Sequence, residues 1–395
     1  MIRLDLLKHK LIEKLPELRR ELEEYPDLKT TLINALILHR PSLSTVKSIL
    51  NDSSIYGKLG DIAEPTEEWI GNIAIKPPIP SSMIRPYASK GITDFINGLS
   101  ILSVDTSEFI EKMLIPRFLI VNVGYTYITY VDKTVEFNSE PYIYVEKELR
   151  SINGIHEHFL DVHRVKAERD VILKIHDKYK PSRLYLLLDE TLSLNYTITF
   201  SKSRRDIIID EFKKSLNEFK SRNITPIGIF YSLAGSVRNT IIKSILCKNF
   251  SCLKCGRKPL CLEYLGVIDR VIFNSILNIG DRSQVFKEKS QVTENYNLEV
   301  YFFYVKTGEN DILRVEVPEW GLNNIDEIHK IVTVQSILGG GYPYLMSKSH
   351  EQATLRTDRK ALMKFIEEVV MNGRYEDKYL FKLTTKYKRK FKGIV

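Results

Sequence analysis

The sequence has no apolar run of the roughly 18 residues that a membrane-spanning helix needs. Met1 is not followed by the basic-then-apolar stretch that directs export. Both absences lead us to expect a soluble, cytoplasmic protein. Cysteine is scarce: there are four, all between Cys247 and Cys261, so the scattered disulfide framework of a small secreted domain is excluded. No internal repeat recurs at a period of about 20–50 residues. Nor is the chain depleted in core-forming residues, since 43% of its 395 residues are hydrophobic and 27% charged, which excludes wholesale disorder. The 58 basic against 50 acidic residues leave a net charge of +8, which suits a polyanionic partner without demanding one.

The N-terminal segment reads as helix. Leu4, Leu7, Leu11, Leu15, Leu18 and Leu22 recur at steps of three and four and form one apolar stripe, of the kind that seals a core or a dimer contact. Pro16 is expected to kink or split this helix. A second helical stretch covers about 28–50, and Lys76-Pro77-Pro78-Ile79-Pro80-Ser81-Ser82 reads as a connector. Residues 1–95 are therefore expected to be an N-terminal helical extension with a linker.

The pattern then turns to β. Leu99–Val104 predicts a short strand ending at Asp105-Thr106-Ser107, and Arg117–Val123 and Thr126–Val131 predict two more with a turn at Gly124. A helix at about 158–178 precedes Arg183–Leu188, whose unbroken apolarity predicts a strand buried on both faces. A helix at 205–221, a strand at Pro226–Tyr231 and helices at 236–246 and 263–277 continue an αβα rhythm. Leu298–Lys306 and Ile312–Val317 read as a hairpin, and a helix is expected around 348–371. The fold class is α/β, with a core over 96–375 and a basic tail over 376–395.

Asp105 and Asp189 share one context, an acid just past a buried apolar strand. Carboxylates at the carboxyl ends of neighbouring strands converge where ligand sites of α/β folds gather. Two or three of them repel one another unless a divalent cation neutralises them, and hard oxygen donors select Mg²⁺ or Mn²⁺. Such ions activate water and stabilise the leaving oxygen of a phosphodiester. Either aspartate alone is equally a turn starter or helix cap. Glu168 and Asp170 in the preceding helix could supply a third acid, although a helix so charged otherwise reads as a solvated face.

Further on, Gly339-Gly340-Gly341-Tyr342-Pro343-Tyr344 precedes His350-Glu351. Glycine backbone allows close approach to a phosphate. Tyr342 can stack or hydrogen-bond, and His350 can ligate a metal or move a proton; a plain turn with a packed histidine fits the same spacing. Cys247, Cys252, Cys255 and Cys261 could hold Zn²⁺ or an Fe–S cluster, or pair as disulfides in a hyperthermophile. His156, His158 and His163 read as a polar loop entering a helix. Lys382, Lys386, Lys388, Arg389, Lys390 and Lys392, interleaved with Tyr387 and Phe391, suit either phosphate contact or a solvated terminus.

Several short blocks, taken in order, resemble the archaeal type of the NurA family of DNA double-strand-break repair nucleases from about residue 99 to about 360. They are Leu102–Ser107, Leu187–Leu192, Asp269-Arg270, Gly280-Asp281-Arg282-Ser283, Arg314-Val315-Glu316-Val317-Pro318 with Trp320, and Gly341–Tyr344 with His350-Glu351. The resemblance implies an RNase H-like core with a mixed central sheet, carrying the cysteines as an insertion at 247–261. It implies a homodimeric Mn²⁺- or Mg²⁺-dependent deoxyribonuclease on single- and double-stranded DNA, with 5′-to-3′ exonuclease and single-strand endonuclease activity, that works with a HerA-type hexameric ATPase in end resection and homologous recombination. Carried over by motif, Asp105, Glu168 and Asp189 are metal ligands, with Tyr342 and His350 completing the site and His350 on or near a metal. Thr106 and Glu190 stand where many members carry glycine, and Tyr231 where many carry lysine. A catalytically impaired DNA-binding scaffold and a metal-dependent RNA or nucleotide hydrolase are the alternatives.

Overall fold

The computed structural model describes residues 4–51, 60–84, 91–111, 118–145, 150–151, 154–155, 158–247 and 263–354. In chain order the elements are α1 (Leu4–Leu38), α2 (Leu43–Leu50), β1 (Ile62–Pro65), β2 (Ser100–Glu111), β3 (Phe118–Thr129), β4 (Val135–Val145), β5 (Arg150–Ser151), β6 (Gly154–Ile155), α3 (His158–Tyr179), β7 (Leu184–Leu188), α4 (Lys202–Ser221), β8 (Ile224–Phe230), α5 (Ser236–Ile241), α6 (Asp269–Ile276), β9 (Phe286–Lys289), α7 (Gln291–Tyr296), β10 (Val300–Lys306), β11 (Ile312–Pro318), α8 (Ile325–Leu338) and α9 (Tyr344–Ala353). None of the described helices is long and apolar enough to cross a membrane. The chain divides into two compact units, one of residues 1–97, 189–199 and 225–344, the other of 98–188, 200–224 and 345–395.

The first unit carries five strands in the order β1-β9-β10-β11-β8, each pair antiparallel. Its core joins Leu32 and Leu36 of α1, Val46 and Leu50 of α2, Trp69, Val237 and Ile241 of α5, Phe273 of α6, and Phe286, Phe302 and Tyr304 of the sheet. This grouping differs from the expected N-terminal extension. The second half of α1, α2 and β1 are parts of the unit, because their apolar residues are buried against α5 and α6 and Ile62–Pro65 pairs with Phe286–Lys289. At the start of α1, Leu7, Leu11 and Leu15 of the leucine stripe are exposed. Pro16 does not split α1, which runs on through both Pro16 and Pro26. Each proline removes one N–H from the ladder, and the remaining helical bonds carry across it.

In the second unit, β2, β3 and β4 form an antiparallel meander, and β7 lies parallel to β2 in the order β7-β2-β3-β4. All five residues of β7 are buried, as its uninterrupted apolarity predicts. α3 covers one face of the sheet through Val165, Ala167, Val171, Ile172 and Ile175. Tyr179 stacks on Tyr127 with ring centroids 4.2 Å apart. Two expectations fail here. β2 does not end at Asp105 but runs to Glu111, because β3 pairs with it over its whole length; only the parallel ladder to β7 stops at Val104, opposite Leu188. β3 is likewise one strand, with Gly124 in its middle rather than in a turn. The class observed is α/β.

Candidate active site

The site is assembled where β2, β3 and α9 meet in the second unit. Side chains alternate along β2, so Ser103, Asp105 and Ser107 share one face and Thr106 takes the other. α9 lies on the first of these faces. Ser103 Oγ and Ser349 Oγ are 2.8 Å apart, Ser107 Oγ donates to Ala353 O at 2.5 Å, and Asn122 Nδ2 donates to the same carbonyl at 2.7 Å. Gly124 is the partner of Asp105 across the ladder. A Cβ at position 124 would lie 2.1 Å from Ala353 N and 2.5 Å from Ser349 O, so the helix backbone sits where any side chain would have to go. Glycine is needed here for close approach.

With α9 seated in this way, His350 Nδ1 lies 2.7 Å from Asp105 Oδ2, although the residues are 245 positions apart in sequence. A carboxylate can only accept, so Nδ1 carries the proton and Nε2 is the ring's other, basic atom. The imidazole is 74% exposed and the aspartate 25%, which leaves the ring accessible to a substrate. On the opposite side of β2, Thr106 Oγ1 donates to Glu168 Oε1. Glu168 falls three residues after Val165 and four before Ile172 on the apolar face of α3 and is buried, whereas Asp170 is exposed beside Arg169. Geometry thus separates the two acids that sequence left open: Glu168 faces the sheet and Asp170 faces solvent.

The remaining expected residues belong to the first unit. Asp189 is the residue after Leu188 and opens the segment 189–199. Tyr342 stacks on Tyr231 with ring centroids 6.0 Å apart. Tyr231 donates its hydroxyl to Asp311 Oδ1 at 3.2 Å, and the Arg270 guanidinium lies 5.5 Å from its ring. Burial, with Asp311 adding to it, holds the Tyr231 hydroxyl above its ordinary range. The glycine triplet is not a phosphate cradle. The N–H groups of Gly339, Gly340 and Gly341 donate to Gln335 O, Ile337 O and Ser336 O, terminating α8. Gly340 and Gly341 take positive φ values of 72° and 121° to do so.

Donor chemistry at Asp105, Glu168 and His350 fits a hard divalent ion. In number the fit is incomplete: among the described residues no three His, Cys, Asp or Glu side chains gather closely enough to form a ready-made metal site. Of the cysteines, Cys247 is half-buried after the π-helical turn Ile242–Leu246. Cys252, Cys255 and Cys261 lie outside the described residues, as do His156 and the basic tail. His163 is buried with its ring stacked on Tyr144 at 4.0 Å. Sequence reasoning missed Gly124, Asn122, Ser103, Ser107 and Ser349, the residues that seat α9. The alternation of Ser103, Asp105 and Ser107 was the available signal, since it puts three small polar groups on one face of a strand.

Comparison with known proteins places these features in context. Among curated proteins none matches the chain. Solved structures similar to it include the NurA nuclease from Sulfolobus solfataricus, at 14% identity over 95% of this chain and 99% of that one, with a TM-score of 0.48. A NurA with manganese is 10% identical over 90% and 99%, with a TM-score of 0.38. A NurA bound to dAMP and manganese is 11% identical over 86% and 98%, with a TM-score of 0.34. The sequence pattern of the NurA domain matches residues 229–355, which run from the end of β8 through His350. That match covers about a third of the chain and marks a similarity to the NurA domain.

Proposed function

We propose that this protein is a divalent-metal-dependent deoxyribonuclease of NurA type. Asp105, Glu168, Asp189 and His350 would hold Mn²⁺ or Mg²⁺, and Tyr342 would contact the substrate. The observation that carries the reading is the contact between Asp105 and His350, made by a helix that four polar side chains and one glycine fasten against β2 and β3. A bound divalent ion supplies a more acidic water and neutralises charge on the phosphodiester. The chain's own groups act around it. Asp105 fixes the imidazole tautomer, so that Nε2 is presented either as a ligand or as the atom that takes a proton from the attacking water. Glu168, engaged by Thr106 on the opposite face of β2, would supply its carboxylate apart from the Asp105–His350 pair.

The meander β2-β3-β4, with β7 parallel to β2 and reached over α3, supports an RNase H-like reading of the second unit. The domain match supports DNA as substrate, and with it 5′-to-3′ resection of double-strand breaks as a homodimer alongside a HerA-type ATPase. One observation favours a second reading, a catalytically impaired DNA-binding subunit: the Thr106 hydroxyl engages Glu168. The deciding experiment is cleavage of end-labelled single- and double-stranded DNA with Mn²⁺, Mg²⁺ or EDTA. Metal-dependent cutting abolished in Asp105→Ala and His350→Ala is expected. Undiminished cutting by Asp105→Ala sinks the proposal, and no cutting with any metal selects the scaffold.

A further inference from the structure

Glu316 has no part in the site as described, yet it is among the most completely buried charges in the first unit, at 1% exposure. Its Oε2 accepts three hydrogen bonds from one loop: Thr191 Oγ1 at 2.8 Å, Leu192 N at 2.7 Å and Ser193 N at 3.2 Å. Its Oε1 accepts from Arg314 Nε at 2.7 Å. Arg314 is itself buried, lies over the Phe302 ring at 3.6 Å and donates through Nη2 to Glu288 Oε2 at 2.8 Å. Glu288 Oε1 then accepts from Asn195 Nδ2 at 2.8 Å, and Asn195 Oδ1 accepts from Ser290 Oγ at 2.5 Å. One guanidinium therefore bridges two carboxylates that grip the same loop, at 191–193 and at 195. On the strand below, a Cβ at Gly228 would meet Glu190 O at 2.5 Å, so the loop also rests directly on β8.

Dry ion pairs are a costly way to stabilise a core, and apolar residues of similar volume commonly do as well. What this network supplies instead is direction: it fixes the backbone of the loop whose first residue is Asp189. We infer that Glu316, Arg314 and Glu288 form a buried clamp on residues 189–195, and that Glu316 and Arg314 are positioning residues for the Asp189 carboxylate. The catalytic half of this inference rests on the nuclease reading; the clamp itself rests on the hydrogen bonds alone.

Amide hydrogen exchange and steady-state cleavage, measured on the same full-length proteins, test the two halves separately. Thr191→Val removes the bond from Thr191 Oγ1 to Glu316 together with the same hydroxyl's contacts to Ser193 N at 3.2 Å and Ser193 Oγ at 2.8 Å. Thr191→Ser keeps all of them, and Glu316→Gln weakens the bridge to Arg314. Thr191→Val should speed exchange at Leu192, whose amide donates to Glu316, about fivefold, the worth of one hydrogen bond to the clamp, and at Ser193 by more, because that amide also loses Thr191 Oγ1 as an acceptor, with the amides of β10 and β11 unchanged. Its kcat should fall by a similar factor with KM for DNA unaltered, and Thr191→Ser should behave as wild type. Unchanged exchange at 192 and 193 in Thr191→Val overturns the clamp, and this variant gives the answer even where Glu316→Gln does not fold. Faster exchange with an unaltered kcat overturns the positioning role. Undiminished cutting by Asp105→Ala instead removes the nuclease reading and leaves the exchange result to decide the clamp.

Discussion

Replacing Gly124 by alanine tests how α9 holds the proposed site. The added Cβ would lie 2.1 Å from Ala353 N and 2.6 Å from Ala353 Cα, where ordinary contact begins at 3.4 Å. Those atoms are backbone in a helix, so no side-chain rotation can relieve the overlap, and the end of α9 must retreat by the difference, about 1.3 Å. A retreat of that size takes the bond from Asn122 to Ala353 O, now 2.7 Å, to about 4 Å, outside hydrogen-bond range. The Asp105–His350 contact, also 2.7 Å, lengthens similarly. Overpacking of this kind costs about 1–3 kcal/mol, and a misplacement of about 1 Å at a reacting group can cost about 100-fold in rate. We therefore expect Gly124→Ala to stay folded at 25 °C, to melt several degrees lower, and to cut labelled DNA about 100-fold more slowly under conditions where it is fully native. An alanine variant that melts and cuts like wild type would refute the reasoning. It would mean either that α9 is not seated on Gly124 or that its placement does not set the histidine.

Three further outcomes are expected. Thr106→Gly removes the hydroxyl that engages Glu168, and releasing one hydrogen bond of about 1 kcal/mol should lower the Mn²⁺ concentration for half-maximal cutting about fivefold; an unchanged or higher requirement would count against Glu168 as a ligand. Burial holds the His329 imidazole down to about 4, from 6.5, with Nε2 donating to Gly280 O at 2.7 Å. Its stabilising contribution is therefore present above pH 6.5 and lost as pH falls toward 4, by about 3 kcal/mol in all; denaturant melts of His329→Gln should lack this acid sensitivity. Glu288 has the opposite sign. Burial, with Glu316 and Asp61 adding to it against the pull of Arg314, pushes it up to about 7, so its contribution is present below pH 4.5 and lost as pH rises through 7. Glu288→Gln should flatten the stability profile between pH 5 and 8, and a profile identical to wild type would show that this carboxylate does not hold a proton in the folded protein.

Much of the scaffold was legible because burial on two faces leaves a plain mark: Leu184–Leu188 is five apolar residues in a row and is a strand buried along its whole length. The hairpin of β10 and β11 follows from two such runs around a short polar turn. Elements lacking a one-sided pattern were missed. Most of α8 is buried, including His329, Thr333, Gln335 and Ser336, so its sequence shows no solvent face from which to read a period. β4 is an edge strand with Val135, Phe137, Ile143 and Val145 exposed, which inverts the usual reading of apolar positions as inward. Glu168 could have been separated from Asp170 by helical spacing alone, since Val165 and Ile172 flank it on the buried face.

Glycine shows most sharply why the rest was not legible. Gly124 read as a turn and is a mid-strand residue under a helix; Gly339–Gly341 allowed either a loop close to a phosphate or a plain turn, and cap α8. In both cases the letter reports only that a side chain is missing. What fills the vacated space, or which carbonyl takes the freed N–H, is decided by an element far away in the chain: Ala353, 229 positions on, for Gly124. The chemistry-bearing residues escape this ambiguity because a carboxylate or an imidazole carries its demand with it, for a proton, a donor or a cation. Asp105 and His350 could thus be nominated from type and context, whereas the residues that bring them within 2.7 Å of each other are small, uncharged and individually ordinary. It follows that substitutions at Gly124, Ser103 and Asn122 are the discriminating ones. If the pair acts as proposed, changes at these positions must reach the cleavage rate through the position of α9, without altering any group that touches DNA.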